Sequence, residues 1–136
     1  MNHSAVASAE IACAAFHTID TAQLDTLDGQ PLDDLPFGLI RLDDAHRIVA
    51  YNRFESELSG LTPAKVLGRS FFEEVAPCTN NFMVAEKFRN SEKLDEELDY
   101  VFTYRMKPTA VRLRLLKRRG GAFEYLLVRK RDDEHR

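Results

Sequence analysis

Two blocks of strand-like alternation bracket a stretch of short helical signals, and that order limits what the chain can fold into. In the first block, Phe37-Gly38-Leu39-Ile40-Arg41-Leu42 and Arg47-Ile48-Val49-Ala50-Tyr51 flank the polar turn Asp43-Asp44-Ala45-His46, which predicts a hairpin over 37–51. In the second, Tyr100, Phe102, Tyr104 and Met106 alternate with Val101, Thr103 and Arg105. Val111, Leu113 and Leu115 alternate with Arg112 and Arg114, and Gly120-Gly121 turns the chain into Phe123, Tyr125 and Leu127. Between the blocks, Asn52 with Glu55 three residues on matches a capping box, Ser59-Gly60 ends that helix, and Thr62-Pro63 starts another that closes at Gly68. Residues 70–81 read as a short apolar segment running into a loop. A longer helix is predicted over 82–97, with Val84, Phe88 and Leu94 inward. Strands on both sides of a helical block indicate an α+β fold with a five-stranded antiparallel sheet.

Before the hairpin, Ile11, Ala15, Phe16, Ile19 and Leu24 recur at helical spacing until Asp28-Gly29-Gln30-Pro31 breaks the pattern. Residues 1–34 are therefore expected as a helical cap on one sheet face, residues 35–131 as the core with its helices on the other face, and 132–136 as a tail. With 136 residues the chain is about one domain and can bury a core without disulfides or metals. The net charge of -3 argues against general nucleic-acid affinity, and no apolar run reaches the roughly 20 residues a membrane span needs. The charge is uneven. Residues 1–44 hold eight acids against Arg41, and residues 105–136 hold eleven bases against four acids. The two ends are expected to attract each other, docking the cap on the last strands or offering a patch to a partner. The N-terminus lacks a basic segment, and Glu10 interrupts its apolar run, so it does not read as a signal peptide. A cytoplasmic location and a free Cys78 thiol are expected.

Three groups could carry chemistry. Cys78 follows Ala76-Pro77, and Pro77 restricts the backbone just before the thiol. Most free cysteines are small buried hydrophobes, and a nucleophilic one needs a nearby base, for which His46 in a polar turn is a poor candidate. Tyr51 and Glu55 lie four residues apart, so at a helix start they project to one side. A hydroxyl and a neutral carboxyl there can donate two hydrogen bonds to one anion, whereas a solvated Glu55 would only cap the helix. Ser59 could back up Tyr51. The aromatic stripe at 100–106 is either plain core or the wall of a flat aromatic ligand.

The segment Gly68-Arg69-Ser70-Phe71-Phe72-Glu73-Glu74-Val75-Ala76-Pro77-Cys78-Thr79 carries the resemblance, with Tyr51-Asn52, Glu55 and Gly60 upstream and Tyr100 to Met106 with Pro108-Thr109 downstream. From about Leu35 to Val128 the chain resembles the photoactive yellow protein family, blue-light sensors with the PAS fold. The resemblance implies a photoreceptor, not an enzyme. It implies 4-hydroxycinnamic acid (p-coumaric acid) joined to Cys78 as a thioester and isomerising from trans to cis in light, with reversible structural change as the signal. Tyr51 and Glu55 would donate to the pigment's phenolate, and Ser59 would stand where the family has a threonine. Leu61 stands where the family has a lid arginine, a departure that removes a cation from the pocket's outer side. Phe71, Phe72, Ala76, Pro77, Phe102, Tyr104 and Met106 match positions around the pigment. The partner implied is an unknown downstream signalling protein, with the chain itself a monomer or weak homodimer. A pigment-free PAS module for ligand binding or dimerisation is the alternative.

Overall fold

A computed structural model describes residues 15–103 and 108–131. Strands β1 (Gly38–Leu42), β2 (Ile48–Tyr51), β3 (Leu94–Phe102), β4 (Thr109–Lys117) and β5 (Glu124–Lys130) form one sheet in the order β2-β1-β5-β4-β3, antiparallel throughout. The 37–51 hairpin and the Gly120-Gly121 turn fall where the sequence puts them. Strand alternation then divides the interior in two. Ile40, Leu42, Val111, Leu113, Leu115, Leu126 and Val128 face the helical block, while Leu39, Leu116, Tyr125 and Leu127 face the N-terminal segment.

The helical block holds α3 (Arg53–Ser59), α4 (Pro63–Val66), a π-helical turn (Phe71–Val75), a 3₁₀ turn (Pro77–Thr79) and α5 (Ala85–Asn90). Gly60, at φ 81°, ends α3 in the left-handed conformation that a side chain would strain. The helix expected over 82–97 is shorter than its pattern, because β3 begins at Leu94. Leu94 and Leu98 are four apart and look helical, but Asp95, Glu97 and Asp99 have the strand period. Arg114 grips Asp95 through two bonds (2.9 and 3.0 Å), and Arg112 reaches Glu97 (3.3 Å) and Asp99 (2.9 Å). Cross-strand charge pairing and the β4 ladder thus override local helix propensity.

Of the expected helical cap, residues 15–34 are described, and they cover the opposite face in short helical pieces. Residues 15–18 are helical, followed by α1 (Thr21–Asp25) and α2 (Gln30–Asp33). Asp20 and Gln23 close a reciprocal capping box at α1, which restarts the helix there (2.8 and 2.9 Å). Phe16, Leu24 and Leu32 are buried against the sheet; Ile11 lies outside the described residues. Asp25 meets Arg118 at 2.8 Å, one pairing of the expected acidic and basic ends. Much of the remaining grip is to neutral groups. Arg114 donates to Phe16 O and Ile19 O (2.9 and 2.7 Å), and Arg41 to Leu24 O and Leu27 O (2.8 Å each). Salt therefore weakens the docking less than the charge count alone implies.

Tyr125 fastens this layer, accepting from Arg41 Nε at 2.9 Å and donating to Asp25 Oδ1 at 2.6 Å. Burial first, and then the hydrogen bond to Asp25, hold its hydroxyl proton well above the usual tyrosine range. The native state keeps that proton where the unfolded chain begins to lose it, near pH 10. The contribution is therefore complete below pH 10 and fades as pH rises beyond it, by up to ~1.4 kcal/mol per pH unit. Tyr125→Phe should flatten the loss of unfolding free energy above about pH 10 relative to the parent chain, measured by urea denaturation across the alkaline range. Parallel curves for the two proteins would show that Tyr125 ionises as freely folded as unfolded.

Candidate functional site

Tyr51 ends β2, and Glu55 and Ser59 follow on successive turns of α3, so all three face the helical side of the sheet. All are buried, Glu55 with none of its surface exposed. The Tyr51 hydroxyl donates to Ser59 Oγ at 2.8 Å, and Ser59 Oγ also accepts from Leu61 N at 3.1 Å. The expected backing of Tyr51 by Ser59 is therefore in place. Leu61 is half-buried against the same core and lines a surface hollow of about 620 Å³ with Val66, Arg69 and Val75.

Asn52 fixes where Glu55 sits. Its Oδ1 accepts from Glu55 N (3.1 Å) and Leu39 N (2.9 Å), and its Nδ2 donates to Leu32 O (2.8 Å) and Phe37 O (3.0 Å). The backbone N–H of Asn52 goes to Leu39 O at 3.2 Å. The donor that a capping box would offer the Glu55 carboxyl is thus used by β1, and Glu55 is directed into the core. A solvated capping role for Glu55 is excluded by its burial. One buried amide joins α3, β1 and the cap, a role the sequence disguises because Asn at a helix start is ordinary. Gly38 is the second residue that sequence reasoning passed over. A Cβ there would collide with Glu55 Oε1 and crowd Glu55 Cβ at 3.2 Å and Cα at 3.3 Å.

On the other side of this core, Ala76 N closes the π-helical turn onto Phe71 O at 2.8 Å, and Pro77 starts the 3₁₀ turn that carries Cys78. Thr79 Oγ1 donates back to Ala76 O at 2.7 Å. Cys78 is a free, half-buried thiol packed against the core that contains Tyr51, Phe71, Phe72, Ala76 and Phe102. Its carbonyl accepts from the Tyr100 hydroxyl (2.5 Å) and Asn81 Nδ2 (3.0 Å). Asn81 Oδ1 in turn accepts from Met83 N and Val84 N (2.9 and 3.1 Å). The sequence carries no local signal for this clamp: Tyr100 belongs to the aromatic stripe and Asn81 to a loop, and they meet only in the fold. Tyr104 and Met106 lie outside the described residues. His46 is directed elsewhere, its ring edge-on to Phe72 and its Nε2 3.1 Å from Glu124.

The chemistry of this donor set is specific. Two buried hydroxyls and a buried carboxyl sit together, and a thiol that can form a thioester packs against the same core as Tyr51. Two photoactive yellow proteins align with it over most of their length. That of Rhodothalassium salexigens is 37% identical over 115 residues, covering 82% of this chain and 91% of its own length. That of Rhodobacter capsulatus is 33% identical over 121 residues, covering 85% and 95%.

The chain belongs to the photoactive yellow protein family.

Among solved structures, the photoactive yellow protein domain of the sensor histidine kinase Ppr from Rhodospirillum centenum superposes with a TM-score of 0.73. It shares 38% identity, covering 80% of this chain and 98% of that domain. A PAS domain from Haloarcula marismortui, at 19% identity and a TM-score of 0.61, shares the fold. The PAS architecture expected from the sequence is therefore the one observed. No protein-family model matches the chain.

Gly38→Ala should lower the unfolding free energy by about 1–3 kcal/mol, because Glu55 is held from behind by Asn52 and has little room to retreat. Urea denaturation checks it, and a loss under about 0.5 kcal/mol would show that the carboxyl moves aside freely.

Proposed function

We propose that this blue-light photoreceptor uses a 4-hydroxycinnamoyl pigment esterified to Cys78, with Tyr51 and Glu55 as hydrogen-bond donors to its phenolate oxygen. The observation that carries the reading is the buried set of Glu55, Tyr51 and Ser59 together with the Cys78 thiol, which packs against the same core as Tyr51. When bound, the pigment supplies a blue-absorbing ring and a double bond that turns from trans to cis.

The residues of the chain do the rest. A phenol resembles tyrosine, with a pKa of about 10, and burial disfavours its anion. Two donors oppose that, since hydrogen bonds to a charged group are roughly twice as strong as neutral ones. Glu55 donates only while protonated, and a carboxyl removed from water is most stable in that neutral form. The Tyr51–Ser59 bond would have to reverse for Tyr51 to be the second donor: Tyr51 donates to Ser59 Oγ here, and with the pigment bound the serine hydroxyl would donate to Tyr51 so that the tyrosine proton turns inward. The carboxyl and the phenolate share one charge and titrate as a pair.

Withdrawal of the anion from these donors would leave Glu55 as the nearest proton source. Transfer of its proton leaves a carboxylate in a site built for a neutral acid, which is costly, and the fold must rearrange to relieve it. Phe71, Phe72, Ala76, Pro77, Phe102, Tyr104 and Met106 would enclose the ring and linker, and Leu61 would close the outer side without a cation. In this reading residues 1–34 are the cap that loosens, 35–131 the sensing core and 132–136 a tail. A separate signalling protein reads the change, from a cytoplasmic monomer or weak homodimer. Among the described residues, no helix is long and apolar enough to cross a membrane.

Purified protein incubated with activated 4-hydroxycinnamic acid should turn yellow and bleach reversibly under blue light. Cys78→Ala should remain colourless and carry no adduct by intact mass. Glu55→Gln should shift the band to the red, because an amide is a weaker donor to the phenolate than a carboxylic acid. An unpigmented parent chain would return the protein to the class of pigment-free PAS modules, and an unshifted Glu55→Gln band would remove Glu55 from the phenolate.

A further inference from the structure

Four arginines on or beside the sheet face beneath the cap, Arg41, Arg114, Arg118 and Arg129, contact the cap. Arg41 on β1 is 5% exposed and donates to Leu24 O, Leu27 O and Asp28 Oδ1. Arg114 on β4 is 4% exposed and donates to Phe16 O and Ile19 O. Arg118, just past β4, meets Asp25 at 2.8 Å, and the Arg129 guanidinium stands 5.3 Å from the centroid of the buried Phe16 ring. The segment they hold is chemically lopsided, since residues 15–34 contain five aspartates and no lysine or arginine. The acids that the sheet itself contributes to this face, Asp95, Glu97 and Asp99, are confined to the β3 edge, where Arg112 and Arg114 pair with them. On β1, and where the chain leaves β4, the carboxylates that meet Arg41 and Arg118 come from the cap.

We infer that this face is a docking surface for an acidic segment of another protein bearing an aromatic side chain, and that the cap is its competitor in cis. The cap shows what the surface selects. Guanidinium forks suit carboxylates and clustered carbonyls, and the apolar floor of Phe37, Leu39, Leu116 and Leu127 accepts one ring. Removing the cap would leave two buried arginines without the carbonyls that satisfy them, so an incoming anionic segment gains what the cap gives up. The inference rests on the photoreceptor reading only for its trigger, light-driven loosening of the cap. The surface itself can be tested in the dark.

The probe is a fluorescein-labelled synthetic peptide rich in glutamate with one central phenylalanine, titrated by fluorescence anisotropy with the full-length chain. Asp25→Asn with Asp28→Asn weakens the cap at positions that touch the sheet only through side chains, and Phe16→Ala weakens it independently. Each cap-weakened chain should bind the peptide about tenfold tighter than the parent in the dark, and raising salt to about 0.3 M should erase most of that gain. Adding Arg41→Gln to the Asp25→Asn, Asp28→Asn chain should also erase it. Equal binding by the parent and both weakened chains, or a gain indifferent to salt and to Arg41→Gln, overturns the proposal. So does dimerisation of the weakened chains in sedimentation that excludes the peptide, which would assign the face to the cap of a second copy. Blue light on the pigmented parent should raise its affinity toward that of the weakened chains. If the weakened chains bind in the dark but the parent never bleaches, the photoreceptor reading fails while the docking surface stands.

Discussion

A carboxyl with no access to water is the constraint around which the molecule is arranged. Glu55 is fully buried, and a charge there would be stable only if the fold supplied compensation that water no longer can. Asn52 draws the start of α3 onto β1 so that the side chain points inward, and Gly38 leaves the space it occupies. Ser59, a further turn along α3, accepts from the Tyr51 hydroxyl. These are features of one short helix and the hairpin before it, so the position of the carboxyl is set by local chain geometry more than by the distant parts of the fold.

The other half of the design is the separation of the two sheet faces. Strand alternation sends Val111, Leu113, Leu115, Leu126 and Val128 toward the helical block, and Leu116, Leu127 and Tyr125 toward the cap along with Arg114. Apolar burial is non-directional, and by itself it would let the cap slide over the sheet. The arginine-to-carbonyl bonds fix its register, because each guanidinium meets two backbone carbonyls where a helical piece of the cap ends.

Much of this was legible in the sequence for physical reasons that can be named. The hairpin, the glycine-ended α3 and the β4–β5 turn each carry a signal confined to a few residues. Cys78, Tyr51 and Glu55 were visible as a set only through the resemblance, since spacing alone leaves Glu55 a solvated cap and Cys78 a small hydrophobe. The helix over 82–97 was misread because Leu94 and Leu98 satisfy a helical period while their acidic neighbours satisfy a strand period, and only the β4 partner decides between them. Asn52, Asn81 and Gly38 were undervalued because their roles depend on atoms from distant segments. Asn81 and Tyr100 are 19 residues apart and meet at the Cys78 carbonyl only after β3 has paired.

The same contacts decide where a charge created at Glu55 would be felt. An uncompensated buried carboxylate costs several kcal/mol, whereas an ordinary hydrogen bond contributes about 1 kcal/mol net. Moving β1 to relieve it would break ladders on both its edges, with β2 and β5. Moving α3 away from the cap would break far less: the bond from Asn52 to Leu32 O and the one from Arg53 N to Asp33 Oδ1. Two bonds of that size lie within the energy released by hydrating one carboxylate, and a five-stranded sheet does not. The contact between α3 and the cap is thus weaker than the ladders that hold β1, and it is the one a charge at Glu55 would strain first.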